Sequence, residues 1–239
     1  MSVHLVGGGW APEHYPAVYG PFVGEASARA AAAGRTEPRI AIISVRAGDG
    51  DEHSASLAAA LGAAGPIEAV LTTLEPDGRA ALAAVGGVDG IVIGGGLTPA
   101  YLAAVAPIAG EIRRQVSAGI PYLGFSAGAM IAAERALIGG WRIGGVEVAS
   151  QDGSEDLDEV TVENGIGLLD VTVEVHAAQW GTLSRLIAAV EAGLVDGGLA
   201  IDENTALVVG EGALGVVGAG SVWRVSQASD GVLVSTFGA

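Results

Sequence analysis

The chain has 239 residues, half of them hydrophobic and 16% charged, with a net charge of −16 and no cysteine. That supplies core for one large α/β domain over 1–239 and excludes a disordered chain; the acidity, read as solubility, argues against nucleic acid, whose phosphates need a basic face. With no cysteine, disulfides, thiolate metal sites and a cysteine nucleophile are excluded, and because all 11 basic residues are arginine, so are a Schiff-base lysine and a Walker lysine.

The first residues, Met1-Ser2-Val3-His4, carry no basic leader, so a cytoplasmic location is expected. Val3–Val6 is a short apolar strand ending in Gly7-Gly8-Gly9. Gly20–Gly34 is Ala-rich and predicts a helix, stopped by Pro38. Ile40–Val45 is a continuous apolar run, as in a buried parallel strand. Asp51–Ala64 predicts a helix, Ile67–Leu71 a strand, Gly78–Val85 a helix and Gly90–Ile93 a strand. The uncharged stretch Gly90–Gly110 is long enough to raise a membrane span. Its glycines at 94 to 96 and Pro99 and Pro107 break it into strand, loop and helix, so no membrane contact is expected. Thr98-Pro99 opens that helix, with proline at its first position. Glu111–Ala118 predicts a helix, Tyr122–Phe125 a strand, and Ala127–Ala133 a helix.

The second half changes character. Ser150–Asn164 is rich in Asp and Glu and reads as an exposed excursion. Val171–Val175 is a strand leading into His176. Leu183–Ala192 is a helix, and the strands Leu199–Ile201 and Ala206–Val209 flank Asp202-Glu203-Asn204. From Ala213 onward the pattern is β. Alternating strands and helices predict a doubly wound, mostly parallel sheet with helices on both faces and a β-rich C-terminal segment. Ligands of such sheets sit at the carboxyl ends of strands.

Ser126 stands at one such end, inside Gly124-Phe125-Ser126-Ala127-Gly128. Glycines on both sides allow a tight turn with a helix packed close behind, which exposes the hydroxyl and aims helix N–H groups at the oxygen it would create. The plain alternative is a small residue in a tight turn. A serine nucleophile needs a base. Of His4, His14, His53 and His176, the last has a position like that of Ser126, between strand and helix; it reads as the base or as a core histidine. The orienting acid is open between Asp152 or Asp170, before the histidine, and Glu191, Asp196, Asp202, Glu203 or Glu211, after it. Oxyanion donors would be the N–H of Ala127 and one from Gly95 or Gly96. Neither Gly94-Gly95-Gly96 nor Gly7-Gly8-Gly9 has the spacing of a dinucleotide loop, and no metal or cofactor is called for.

Taken together, Gly94-Gly95-Gly96, the Ser126 elbow, Val175-His176 with Arg185-Leu186, and Ile201-Asp202-Glu203-Asn204-Thr205-Ala206-Leu207 resemble the peptidase E and cyanophycinase group of serine peptidases, on the class I glutamine amidotransferase-like fold. The resemblance runs through most of the chain from Gly90. It implies Ser126 as nucleophile, His176 as base and Glu203 as orienting acid. Members cleave peptide or isopeptide bonds next to aspartate. The amidotransferase cysteine is absent here, which disfavours ammonia transfer. The pattern departs where substrate is held: Leu97 replaces an Asn or Gln, and Gln179, Trp180 and Arg185 stand in a run where cyanophycinases are Arg-rich. The resemblance therefore implies a hydrolase of a small peptide or amide with an altered pocket. A non-catalytic small-molecule binding domain and a nucleotide-binding domain are the competing classes, and a homodimer is left open.

Overall fold

Strand β2 (Arg39–Val45) explains the architecture. Side chains of a strand alternate between faces. Ile40 and Ile42 enter one core, with Phe22, Val23, Leu57 and Leu61. Ala41, Ile43 and Val45 enter the other, with Tyr101, Ile112 and Met130. A strand apolar on both faces needs cover on both, and the helices supply it.

The computed structural model describes residues 2–210, 212 and 214–238. In chain order come β1 (Val3–Val6), α1 (Tyr15–Ala32), β2, α2 (Gly50–Gly62), β3 (Glu68–Leu74), β4 (Gly90–Ile93), α3 (Thr98–Val105), α4 (Ala109–Ser117), β5 (Tyr122–Phe125) and α5 (Ala127–Met130). Two small hairpin-like pairs follow, from β6 (Arg135–Gly139), β7 (Arg142–Ile143), β8 (Val146–Glu147) and β9 (Thr161–Asn164). The chain ends with β10 (Thr172–Val175), α6 (Leu183–Glu191), β11 (Gly197–Ile201), β12 (Thr205–Val209), β13 (Gly215–Gly218), β14 (Ser221–Ala228) and β15 (Gly231–Gly238).

The central sheet has the order β13-β12-β1-β5-β4-β2-β3. Its strands β1, β5, β4, β2 and β3 are parallel, β12 joins antiparallel to β1, and β13 closes that edge antiparallel to β12. A second sheet, β10-β11-β14-β15, begins with a parallel pair. The doubly wound α/β architecture with a β-rich C-terminal part is therefore present. Among the described residues no helix is long and apolar enough to cross a membrane.

Three expected elements differ. The first helix starts at Tyr15 rather than Gly20, because Pro16 lies in its first turn, where no N–H bond is needed. Gly78–Val85 forms only a 3-10 turn over Leu82–Val85: the Ala80 N–H is taken by Ala104 O at 2.8 Å. The helix after Ser126 ends at Met130, since the carbonyls of Ile131, Ala132 and Ala133 accept from residues 166 to 168 instead.

Six strand ends converge on one cleft. β1, β2, β4 and β5 deliver Gly7, Arg46, Gly94 and Ser126. From the second sheet β10 delivers His176, and β11 leads into Asp202-Glu203. Two backbone bonds join the sheets there, His176 N–H to Gly7 O at 3.0 Å and Asn204 N–H to Gly8 O at 2.7 Å.

Candidate active site

The turn at Ser126 follows from its two glycines. A Cβ on Gly124 would lie 2.4 Å from the Gly128 backbone, and one on Gly128 would lie 2.2 Å from Ile93 O. Only hydrogens there let α5 sit so close to β5 and β4. Between them Ser126 takes φ +51° and ψ −111°, a backbone conformation that costs a non-glycine residue on the order of 1–3 kcal/mol.

The Ser126 hydroxyl lies 2.8 Å from His176 Nε2, and His176 Nδ1 lies 2.7 Å from Glu203 Oε1. With Nδ1–H donating to the carboxylate, Nε2 is the acceptor for the serine proton. Burial pulls the His176 pKa below its ordinary value, and the Glu203 bond and charge oppose that pull. Trp180, half exposed, stacks on the imidazole at 3.9 Å and 7°.

Glu203 therefore faces the ring, and its neighbour does not. The Asp202 carboxylate is buried and accepts from Ala178 N–H, Ser221 N–H and Trp223 Nε1–H, which pins the turn that presents Glu203. Among the other acids weighed, Asp152 lines the outer cleft, Asp170 and Asp196 line a different surface hollow, and Glu211 lies outside the described residues.

The Gly7-Gly8-Gly9 run has a use that its sequence did not disclose. Gly8 has φ +102°, and a Cβ on it would stand 2.1 Å from His176 Cε1. The missing side chain is the space the imidazole occupies.

On the oxyanion side one expectation needs correcting. The Gly95 N–H is engaged, donating to His53 Nε2 at 3.1 Å. The N–H groups of Gly96 and Ala127 have no acceptor among the described residues, so they are the pair left to receive a developing charge. The Gly95 carbonyl accepts from Arg46 Nη1 at 2.9 Å and Tyr101 Oη at 3.0 Å. Burial, with Arg46 adding to it, lowers the His53 pKa to about 4, against the pull of Asp49.

The cleft holds about 660 Å³ and is walled by Trp10, Leu97, Phe125 and Trp180 on its apolar side, within the usual range for small-molecule sites. Its polar wall is acidic. Asp152, Glu155 and Asp156 come from the segment expected to be a mere excursion; Arg46 is the only arginine lining the cleft among the described residues. Burial pushes the Glu155 carboxyl up to about 7, although it accepts from Thr98 N–H at 2.8 Å.

Two residues expected to hold substrate do not reach this cleft. Arg185 is fully buried, paired through two bonds of 2.7 and 2.8 Å with Glu174, and it also donates to the carbonyls of Gly140 and Gly153. A guanidinium spent on a buried carboxylate and two carbonyls has no face for substrate. Gln179 accepts from the Glu203 N–H at 2.9 Å and so braces the acid. Leu97 and Trp180 do line the cleft. Among the described residues no three His, Asp or Glu side chains are grouped to hold a metal.

A family model described as Peptidase family S51 matches residues 30–217. The chain is similar to the crystal structure of a peptidase from an acI-B1 Actinobacterium, with TM-score 0.61 and 16% identity over 100% of this chain and 94% of that one. It is also similar to a putative peptidase E protein from Listeria monocytogenes EGD-e, with TM-score 0.53 and 14% identity over 91% and 98%. At such identities the likeness is one of fold. No curated protein matches the sequence.

Proposed function

The chain belongs to peptidase family S51, and we propose that it is a serine-type hydrolase that cleaves a small peptide or amide through an acyl-enzyme on Ser126. The observation that carries this reading is the unbroken line of hydrogen bonds from Ser126 Oγ through His176 to Glu203 at the floor of the cleft.

The chemistry follows from that line. Ser126 Oγ bonds to the substrate carbonyl carbon, its proton passes to His176 Nε2, and the carbonyl π pair moves onto oxygen. That oxyanion faces the N–H groups of Gly96 and Ala127. Collapse breaks the C–N bond, and His176 returns the proton to the leaving amine. Water then attacks the ester, gives a proton to His176, and releases the acid as Ser126 regains its hydrogen. Glu203 holds the tautomer and stabilises the imidazolium throughout.

The pocket favours a neutral or apolar substrate over an aspartyl one. Leu97 offers no hydrogen bond, Trp10 and Trp180 give flat apolar walls, and Asp152 and Asp156, joined by Glu155 where it is ionised, repel a carboxylate that Arg46 alone attracts among the described lining residues. Labelling with a fluorophosphonate, mapped by mass spectrometry, should modify Ser126. A screen of neutral amides, dipeptides and β-aspartyl peptides, with Ser126→Ala as control, should find its best substrate among the neutral ones. A folded wild type that takes no label would end the serine-hydrolase reading, and faster turnover of aspartyl substrates would reverse the specificity.

A further inference from the structure

The peptide joining Gly95 to Gly96 is held by its carbonyl from two elements, and the peptide before it is held by its N–H from a third. The Gly95 carbonyl receives Arg46 from the end of β2 and Tyr101 from α3, and the Gly95 N–H is received by His53 of α2. We propose that Arg46 and Tyr101, with His53 behind them, are positioning residues that orient the Gly96 N–H as an oxyanion donor.

The argument is one of peptide geometry. A trans peptide carries its C=O and the following N–H on opposite edges, and no cis bond occurs among the described residues. Whatever fixes the Gly95 carbonyl therefore fixes the Gly96 N–H in the reverse direction. Two donors hold that carbonyl on the side where a Cβ on Gly96 would touch Arg46 Nη1 and Tyr101 Cε2, both at 3.2 Å. The other edge is left to the cleft, where Gly95 abuts Ser126 so closely that a Cβ would stand 2.8 Å from the serine Cβ.

The donors are themselves braced. Arg46 Nε and Nη2 grip the Asp49 carboxylate, so the guanidinium presents Nη1 from a fixed fork. Tyr101 is fully buried and held protonated by that burial, its pKa pushed up to about 12. His53 stays an uncharged acceptor because its burial, with the same Arg46 adding to it, disfavours its protonation. A glycine loop without these bonds would have to be ordered during the reaction. Here the ordering is done beforehand, which is what makes an oxyanion donor effective.

This inference rests on the Ser126 reading and is tested so that the two can fail separately. The measurement is the second-order rate of Ser126 labelling by an alkyl fluorophosphonate, which drives negative charge onto an oxygen in the hole. Beside it runs alkylation of His176 by iodoacetamide, which creates no such charge. Tyr101→Phe should slow labelling about tenfold and Arg46→Ala with Tyr101→Phe about a hundredfold, with alkylation changed less than about twofold. Arg46→Lys, which can still donate to the carbonyl, should recover part of the Arg46→Ala loss. Should the double variant fail to fold, Tyr101→Phe and Arg46→Ala taken singly carry the same comparison. Labelling of these variants at the wild-type rate overturns the positioning role and leaves the Ser126 reading standing. Labelling and alkylation falling together overturn it too, since the residues would then act through the fold. An unlabelled wild type overturns both.

Discussion

Two histidines line the same cleft, and their neighbours give them opposite uses. His176, at the end of β10, has a carboxylate behind its Nδ1; His53, on α2, has the Arg46 guanidinium beside it. Both are buried enough for the charged form to be penalised. At His176 the Glu203 hydrogen bond and charge offset part of that penalty, which suits the ring to the proposed role of taking and returning a proton. At His53 the cation adds to it, and the ring remains an acceptor down to about pH 4. The sign of the dominant neighbouring charge separates the proton carrier proposed at His176 from the brace at His53.

The comparison breaks most sharply under deletion. His176→Ala should lower kcat by on the order of 10⁴-fold or more, and Glu203→Gln, which disturbs the tautomer, by about 10³–10⁴. His53→Ala should cost only about ten- to a hundredfold, because it loosens one bond to the loop. Steady-state kinetics on the best substrate of the screen decides this; equal losses at the two histidines would dissolve the distinction. A smaller effect tests the room made for the base. Gly8→Ala puts a methyl where the His176 ring stands, so activity should fall by about 10²-fold, with a loss of about 1–3 kcal/mol in stability at a position of positive φ.

The smallest effect is the response of stability to pH. His53 has a lowered folded pKa, so its share of stability is present above about 6.5 and is lost as pH falls toward about 4. Glu155 has a raised one, so its share is present below about 4.5 and is lost as pH rises toward about 7. The two slopes oppose each other in nearly the same window. Relative to wild type, Glu155→Gln should melt with a profile that rises with pH there, and His53→Gln with one that falls. Parallel profiles for all three proteins would refute both assignments.

What was legible in the sequence follows a physical divide. Gly90–Ile93 and Tyr122–Phe125 were bounded correctly because central parallel strands must be apolar on both faces, and the flanking glycines and prolines mark their ends. Ser126 and His176 could be read because each follows a strand, whereas spacing left the acid open and only the family resemblance singled out Glu203. Arg185 was misread because its partner, Glu174, sits on a neighbouring strand, and no periodicity announces a buried ion pair. Arg46 and Tyr101 were passed over for a related reason: their shared acceptor is a backbone carbonyl, which any residue would supply. A rule did exist for Arg46, since it ends β2 beside the other carboxyl ends. The acidic wall was hidden by its own composition, which in isolation describes a solvated loop.

The backbone at Ser126 has a consequence for how such a protein can change over time. With φ at +51°, this position is one that glycine would occupy more comfortably. Ser126→Gly should therefore abolish chemistry while raising the melting temperature, by a gain on the order of 1 kcal/mol. Inactivation and stabilisation lie in the same direction at this one codon. Selection for a durable scaffold alone would drift toward a silent relative. The same substitution would give engineers a sturdier, inert form of the cleft in which to trap uncleaved substrates.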